Sequence, residues 1–131
     1  MNRQPISKTV VFFVDDDDAV RSATRKVLER EDYRVIEAGT AEEARTVLAG
    51  EAGQIDILLM DIYLPDGWGA SLAQELLSIR PGMVTVYTTG AAKEDPILAG
   101  GLGQEPLVLQ KPFTIEELLQ VMEQARSASE A

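Results

Sequence analysis

Asp15, Asp16, Asp61, Thr89 and Lys111 are the residues of this 131-residue chain whose types and positions could do chemistry together. The first two open a run of aspartates, Asp15 to Asp18, directly behind the apolar run VVFFV. Carboxylates about 5 Å apart at an effective dielectric near 20 repel by roughly 3 kcal/mol. A sequence that tolerates this either turns the acids to water or holds a cation against them. All-oxygen donors favour Mg²⁺, Mn²⁺ or Ca²⁺. Asp61 closes another apolar run, IDILLM, and offers a nucleophilic carboxylate. The Lys111 ammonium and the Thr89 hydroxyl can each compensate charge on the oxygens of a transferred phosphoryl group. Gly90, beside Thr89, leaves room for that group to enter. Together these residue types point to Mg²⁺-assisted phosphoryl transfer.

Such a site needs elements that bring distant residues to one place, and the hydrophobic pattern supplies them. Apolar runs at Val10–Val14, Tyr33–Ala38, Ile55–Asp61, Met83–Thr88 and Leu107–Leu109 read as strands. Between them lie helical patterns. One carries Val20, Ala23, Val27 and Leu28; a second opens on a capping box of Thr40 and Glu43; a third carries Leu72, Leu76, Leu77 and Ile79 and stops at Pro81-Gly82. The last opens on Thr114 and Glu117 and carries Ile115, Leu118, Leu119 and Met122. The stretch LPDGWG reads as a turn or loop. Between the fourth and fifth strands, Asp95-Pro96 followed by Gly100, Gly101 and Gly103 predicts a helix of one or two turns at most.

Strand–helix alternation predicts an α/β fold, a doubly wound five-stranded parallel sheet with helices on both faces. Ligands of such sheets bind beyond the carboxyl ends of the strands. Those ends carry Asp15 and Asp16, Asp61, Thr88-Thr89-Gly90, and Lys111-Pro112. Thr89 is preferred to Thr88 because it lies nearer the strand's end and precedes the glycine. Asp17 or Asp18 reads as the cap of the first helix. Trp68 reads equally as packing or as a ring resting near the site.

Composition narrows the function classes. The chain is 45% hydrophobic and 26% charged, with a net charge of −10. No basic cluster is present, so neither a nucleic-acid backbone nor an anionic membrane is an expected partner. Without cysteine or histidine, thiolate and imidazole chemistry are excluded. No apolar run approaches the ~20 residues that span a bilayer, and MNRQPISK is no signal peptide, so a cytoplasmic location is the expectation.

The motifs VFFVDDDDAVR, DILLMDIYLPDGWG, TTG and QKPF resemble those of the response regulator receiver domain of two-component signalling, from about Val10 to Ala125. The resemblance implies a flavodoxin-like sheet of order 2-1-3-4-5, with residues 1–8 as a lead, 9–126 as the domain and 127–131 as a polar tail. It implies that Asp61 accepts a phosphoryl group from a phosphohistidine on a histidine kinase or histidine phosphotransfer domain. Asp15 and Asp16 would hold Mg²⁺ with Asp61 and the backbone carbonyl of Tyr63. Thr89 would be the switch hydroxyl and Lys111 its cationic partner. The domain would then be a stoichiometric phosphoacceptor, assisting its own phosphorylation and dephosphorylation, rather than an enzyme.

The chain departs from the family pattern at several places. Val108 stands where an aromatic residue is usual, and Asp18 where proline is frequent. Tyr63 and Ala91 occupy variable positions. The wording VYTTG…GG…PLVLQKPF is closer to receivers attached to hybrid sensor histidine kinases, so a stand-alone protein and a piece of a hybrid kinase both stay open, as does a homodimer. Two competing readings exist. A Mg²⁺ phosphatase of the haloacid dehalogenase type would use Asp15 and Asp17, but has Ala19 where Thr or Val is preferred and only Glu116 and Glu117 after its lysine. A degenerate receiver would serve only as a binding module.

Overall fold

The computed structural model describes residues 8–90 and 106–130. Among these the elements run β1 (Thr9–Val14), α1 (Asp18–Arg30), β2 (Tyr33–Ala38), α2 (Ala41–Gly50), β3 (Ile57–Asp61), β4 (Tyr63–Leu64), β5 (Gly67–Trp68), α3 (Gly69–Ile79), β6 (Val84–Thr89), β7 (Leu107–Gln110) and α4 (Ile115–Glu130). The main sheet is parallel in the order β2-β1-β3-β6-β7. In terms of the five predicted strands this is 2-1-3-4-5. The expected helix around Asp95-Pro96, the glycines after it and Ala91 lie outside the described residues.

Period-two alternation splits the central strands between two cores. From β1, Val10, Phe12 and Val14 face one cluster, joined by Leu58 and Met60 of β3 and by Ala44, Leu48, Leu72 and Leu76 of α2 and α3. Val11 and Phe13 face the other, with Ile57, Leu59, Leu28 of α1 and Leu118, Val121 and Met122 of α4. Each fully buried Phe or Leu contributes about 2 kcal/mol of apolar transfer. Both faces of β1 and β3 are therefore sealed, and their carboxyl ends are held rigidly.

The helix starts follow the sequence signals. Asp17 caps α1, its carboxylate accepting from the amides of Ala19 and Val20. Thr114 and Glu117 form a reciprocal box at α4. At α2 the Thr40 hydroxyl accepts from the Glu43 amide, while the Glu43 carboxylate reaches one residue further back, to the Gly39 amide. The Arg80 guanidinium, at the end of α3, donates to the carbonyls of Gly53 and Leu48 beyond and within α2, satisfying a helix end that lacks basic residues of its own.

One sequence expectation changes. LPDGWG is not simply loop: Tyr63–Leu64 pairs antiparallel with Gly67–Trp68, a hairpin too short to leave a periodic signal. Ile79 closes α3 as the helical pattern predicts, and lies 62% exposed there. The polar stretch from residue 127 remains helical as far as Glu130, because polar residues end an apolar face without ending a helix.

Candidate functional site

The carboxyl ends of β1, β3, β6 and β7 converge as the sheet order requires. Lys111 Nζ donates to Asp15 Oδ2 at 2.7 Å and to Asp61 Oδ2 at 3.1 Å. Asp15 is fully buried and Asp61 nearly so, whereas Asp16 is exposed. Carboxylate oxygens of Asp15, Asp16 and Asp61 all lie within 4.8 Å of one another. Two backbone amides complete the frame: that of Asp17 donates to Asp15 Oδ1 at 2.8 Å, and that of Tyr63 to Asp61 Oδ1 at 3.1 Å.

The electrostatics are unbalanced in a telling way. Burial raises the pKa of Asp61; Lys111 and the Tyr63 amide pull it back, and the Asp15 charge pushes it up again, leaving it above the usual carboxylate range. Burial pulls the Lys111 ammonium down, but its hydrogen bond to Asp15 and the charges of Asp61 and Asp15 outweigh that, and its pKa ends raised. Lys111 pairs with two of the three clustered carboxylates, and Asp16 has no ion pair among the described residues. The deficit is positive charge, and the donors are all hard oxygens. A divalent cation of the Mg²⁺ class fits both conditions.

Thr89 is fully buried in residue terms and lines a cavity of about 610 Å³ with Val108, Gln110, Lys111 and Pro112. Its carbonyl accepts from the Lys111 amide at 2.7 Å, which ties the switch position to the lysine through the backbone. Thr88 is equally buried but does not line that cavity. A Cβ built at Gly90 meets no described atom within 4 Å. Trp68 follows the packing reading. Its ring packs on the first core cluster and meets Tyr63 edge-on, with centroids 5.4 Å apart.

Sequence reading missed three residues that build the site. Gly69 sits against the acceptor strand, its amide donating to the Ile62 carbonyl at 2.7 Å. Arg21 donates to the Asp15 carbonyl. Asp66, in the hairpin turn, reaches across the fold to accept from the amides of Ala41 and Glu42 at 2.8 and 3.1 Å, capping α2. The glycine in LPDGWG was a visible signal; the other two contacts join residues far apart in sequence or side chain to backbone, and have none.

The amide bonds to Ala41 and then Glu42 lower the Asp66 pKa. A depressed carboxylate contributes stability above its unfolded pKa, near 3.9, and loses it as pH falls through the lower folded value. Asp66→Asn is therefore expected to reduce the acid dependence of unfolding between neutral pH and that range. Urea midpoints measured across acid pH check this; parallel curves for wild type and variant would contradict it.

Residues 11–123 match the family described as the response regulator receiver domain. This chain belongs to that family. A receiver domain protein from Methanospirillum hungatei, described as CheY-like, superposes with a TM-score of 0.81 at 31% identity, covering 95% of this chain and 98% of that one. The sensor kinase CckA of Brucella abortus is 30% identical over 110 residues, 82% of this chain and 11% of CckA. The KDP operon transcriptional regulatory protein KdpE of Escherichia coli is 34% identical over 110 residues, 84% of this chain and 48% of KdpE. The receiver thus spans less than half the length of these two curated relatives. Receivers are phosphoacceptor signalling domains, and the five-stranded order found here is theirs. The phosphatase alternative finds no support: the Asp17 carboxylate is committed to capping α1 and the Glu117 carboxylate to accepting from the Thr114 amide at the start of α4. No helix among the described residues is long and apolar enough to cross a membrane.

Proposed function

We propose that Asp61 is the phosphoacceptor of this receiver, taking the phosphoryl group of a phosphohistidine on a histidine kinase or histidine phosphotransfer domain. The observation that carries this reading is the Lys111 ammonium bridging two buried carboxylates, Asp15 and Asp61, with Asp16 at the open side. One Asp61 oxygen attacks phosphorus, the N–P bond breaks, and its electron pair returns to the donor imidazole. Asp15, Asp16 and Asp61, with the Tyr63 carbonyl, are the groups that would hold Mg²⁺, which when bound neutralises the crowded phosphoryl oxygens.

The remaining steps belong to the chain. Lys111 stays fixed by Asp15 and follows the charge that develops next to Asp61. The Tyr63 amide keeps the carboxylate oriented. The new group brings nearly two charges and three acceptor oxygens; Thr89 turns toward it, and Gly90 leaves the path clear. The same residues assist the later hydrolysis of the acyl phosphate. Val108 cannot act as a rotating aromatic, so the response travels from Thr89 by repacking of the cavity it shares with Lys111.

Incubation with acetyl phosphate tests this reading: one Mg²⁺-dependent phosphoryl adduct in the intact mass is expected. No adduct and no metal-dependent release of phosphate would favour a receiver that only binds partners. Lys111→Ala is expected to retain Mg²⁺ binding, because all three carboxylates remain, and to lose about 100-fold in phosphorylation rate, the scale of one removed charge-stabilising group. Calorimetry with Mg²⁺ and a phosphorylation time course check both halves; unchanged rates would remove Lys111 from the site.

A further inference from the structure

We infer that Arg21 is a positioning residue for the metal-binding acids, setting the direction of Asp16 without touching the metal; this rests on the Mg²⁺ reading of the site. Asp15 is fixed on its side-chain oxygens by Lys111 and by the Asp17 amide. Asp16 has no such anchor: it is exposed, and no described side chain or amide holds its carboxylate. What aims it is the peptide that joins it to Asp15. The carbonyl of that peptide accepts from the Arg21 guanidinium, which also holds the Asp18 carboxylate. On its other edge Arg21 faces Glu37 of β2 at 3.6 Å.

Space at this point is matched to the guanidinium. A Cβ built at Gly39 lies 3.0 Å from the nearest Arg21 nitrogen and 3.6 Å from the guanidinium carbon. Glycine at 39 therefore leaves the guanidinium the position from which it reaches the Asp15 carbonyl. The Asp15 amide donates to the Ala38 carbonyl at 3.1 Å, so the two loops and Arg21 form one unit. Arg21 is only 17% exposed, and a planar fork that bridges a carbonyl and a carboxylate is not replaced by an ammonium.

Charge and position predict opposite signs. A cation near a cation site repels the metal, so an arginine acting by charge alone would be inhibitory and its removal would tighten binding. An arginine acting by position would be needed for binding. Groups that orient metal ligands typically matter by about tenfold or more in affinity. Mg²⁺ binding by calorimetry is compared for wild type, Arg21→Met, Arg21→Lys and Gly39→Ala, with folding checked by circular dichroism. Binding about tenfold weaker in both arginine variants, a smaller loss in Gly39→Ala, and phosphorylation by acetyl phosphate that returns to the wild-type rate at saturating Mg²⁺ are expected. Equal or tighter binding in folded Arg21→Met or Arg21→Lys would overturn the inference while leaving the site intact. Wild type that binds no Mg²⁺ would overturn the metal reading and the inference with it.

Discussion

Asp61→Asn is expected to abolish phosphorylation, lowering the rate by at least about a thousandfold, while the protein stays folded. The amide nitrogen and oxygen of asparagine cannot form the acyl phosphate, so the loss is of the nucleophile itself and not of one stabilising contact. The fold should survive because the substitution keeps volume and removes a charge that burial and Asp15 already disfavour. Lys111 retains its shorter bond, to Asp15, so no buried ammonium is left alone. Urea unfolding without metal is expected to give a midpoint equal to or above that of wild type, with the same slope. Phosphorylation at the wild-type rate would remove Asp61 from the acceptor role, and a collapsed midpoint would mean that its charge holds the fold.

Gly69→Ala is the substitution with the largest expected effect on stability. A Cβ at this position would lie 2.0 Å from the Asp61 carbonyl oxygen and 2.8 Å from the Ile62 Cα. These are backbone atoms of the last residue of β3 and of the buried residue after it, and they cannot swing aside as a side chain can. Overpacking that moves backbone destabilises by about 3 kcal/mol or more, and here the atoms that must move belong to the acceptor itself. Lower stability and slower phosphorylation should therefore appear together. Gly50→Ala is the control: its Cβ meets nothing within 4 Å in a helical position, and a gain of roughly 0.5 to 1 kcal/mol is expected. Chemical denaturation of both variants separates the two cases, and a Gly69→Ala midpoint close to wild type would contradict the close approach.

The contrast between these glycines marks what the sequence made legible. Strand ends were readable because the apolar runs are long and their terminal polar residues abrupt: Tyr33–Ala38 has the expected bounds, and Asp61 closes β3 as expected. Topology then brought Asp15, Asp61 and Lys111 together without any knowledge of distances. The Tyr63–Trp68 hairpin was hidden because two-residue strands have no periodicity. Gly69 was visible as a glycine, but the reason for it is a distance to Asp61 that only the folded backbone defines. Arg21 and Asp66 act through backbone groups, which every residue possesses, so nothing in the sequence singles out their partners. The polar residues 127–130 end the apolar face without ending the helix, since α4 needs only its buried face of Leu118, Val121, Met122 and Ala125.

The central claim is that Asp61, and no other carboxylate of the acidic cluster, receives the phosphoryl group. Borohydride reduces an acyl phosphate of aspartate to homoserine, leaving a permanent mark at the acceptor. Wild-type protein treated with acetyl phosphate and Mg²⁺, reduced and mapped by peptide mass spectrometry, is predicted to carry homoserine at position 61 alone, and none when Mg²⁺ is withheld. Homoserine at Asp15 or Asp16, with Asp61 unmodified, would contradict the account.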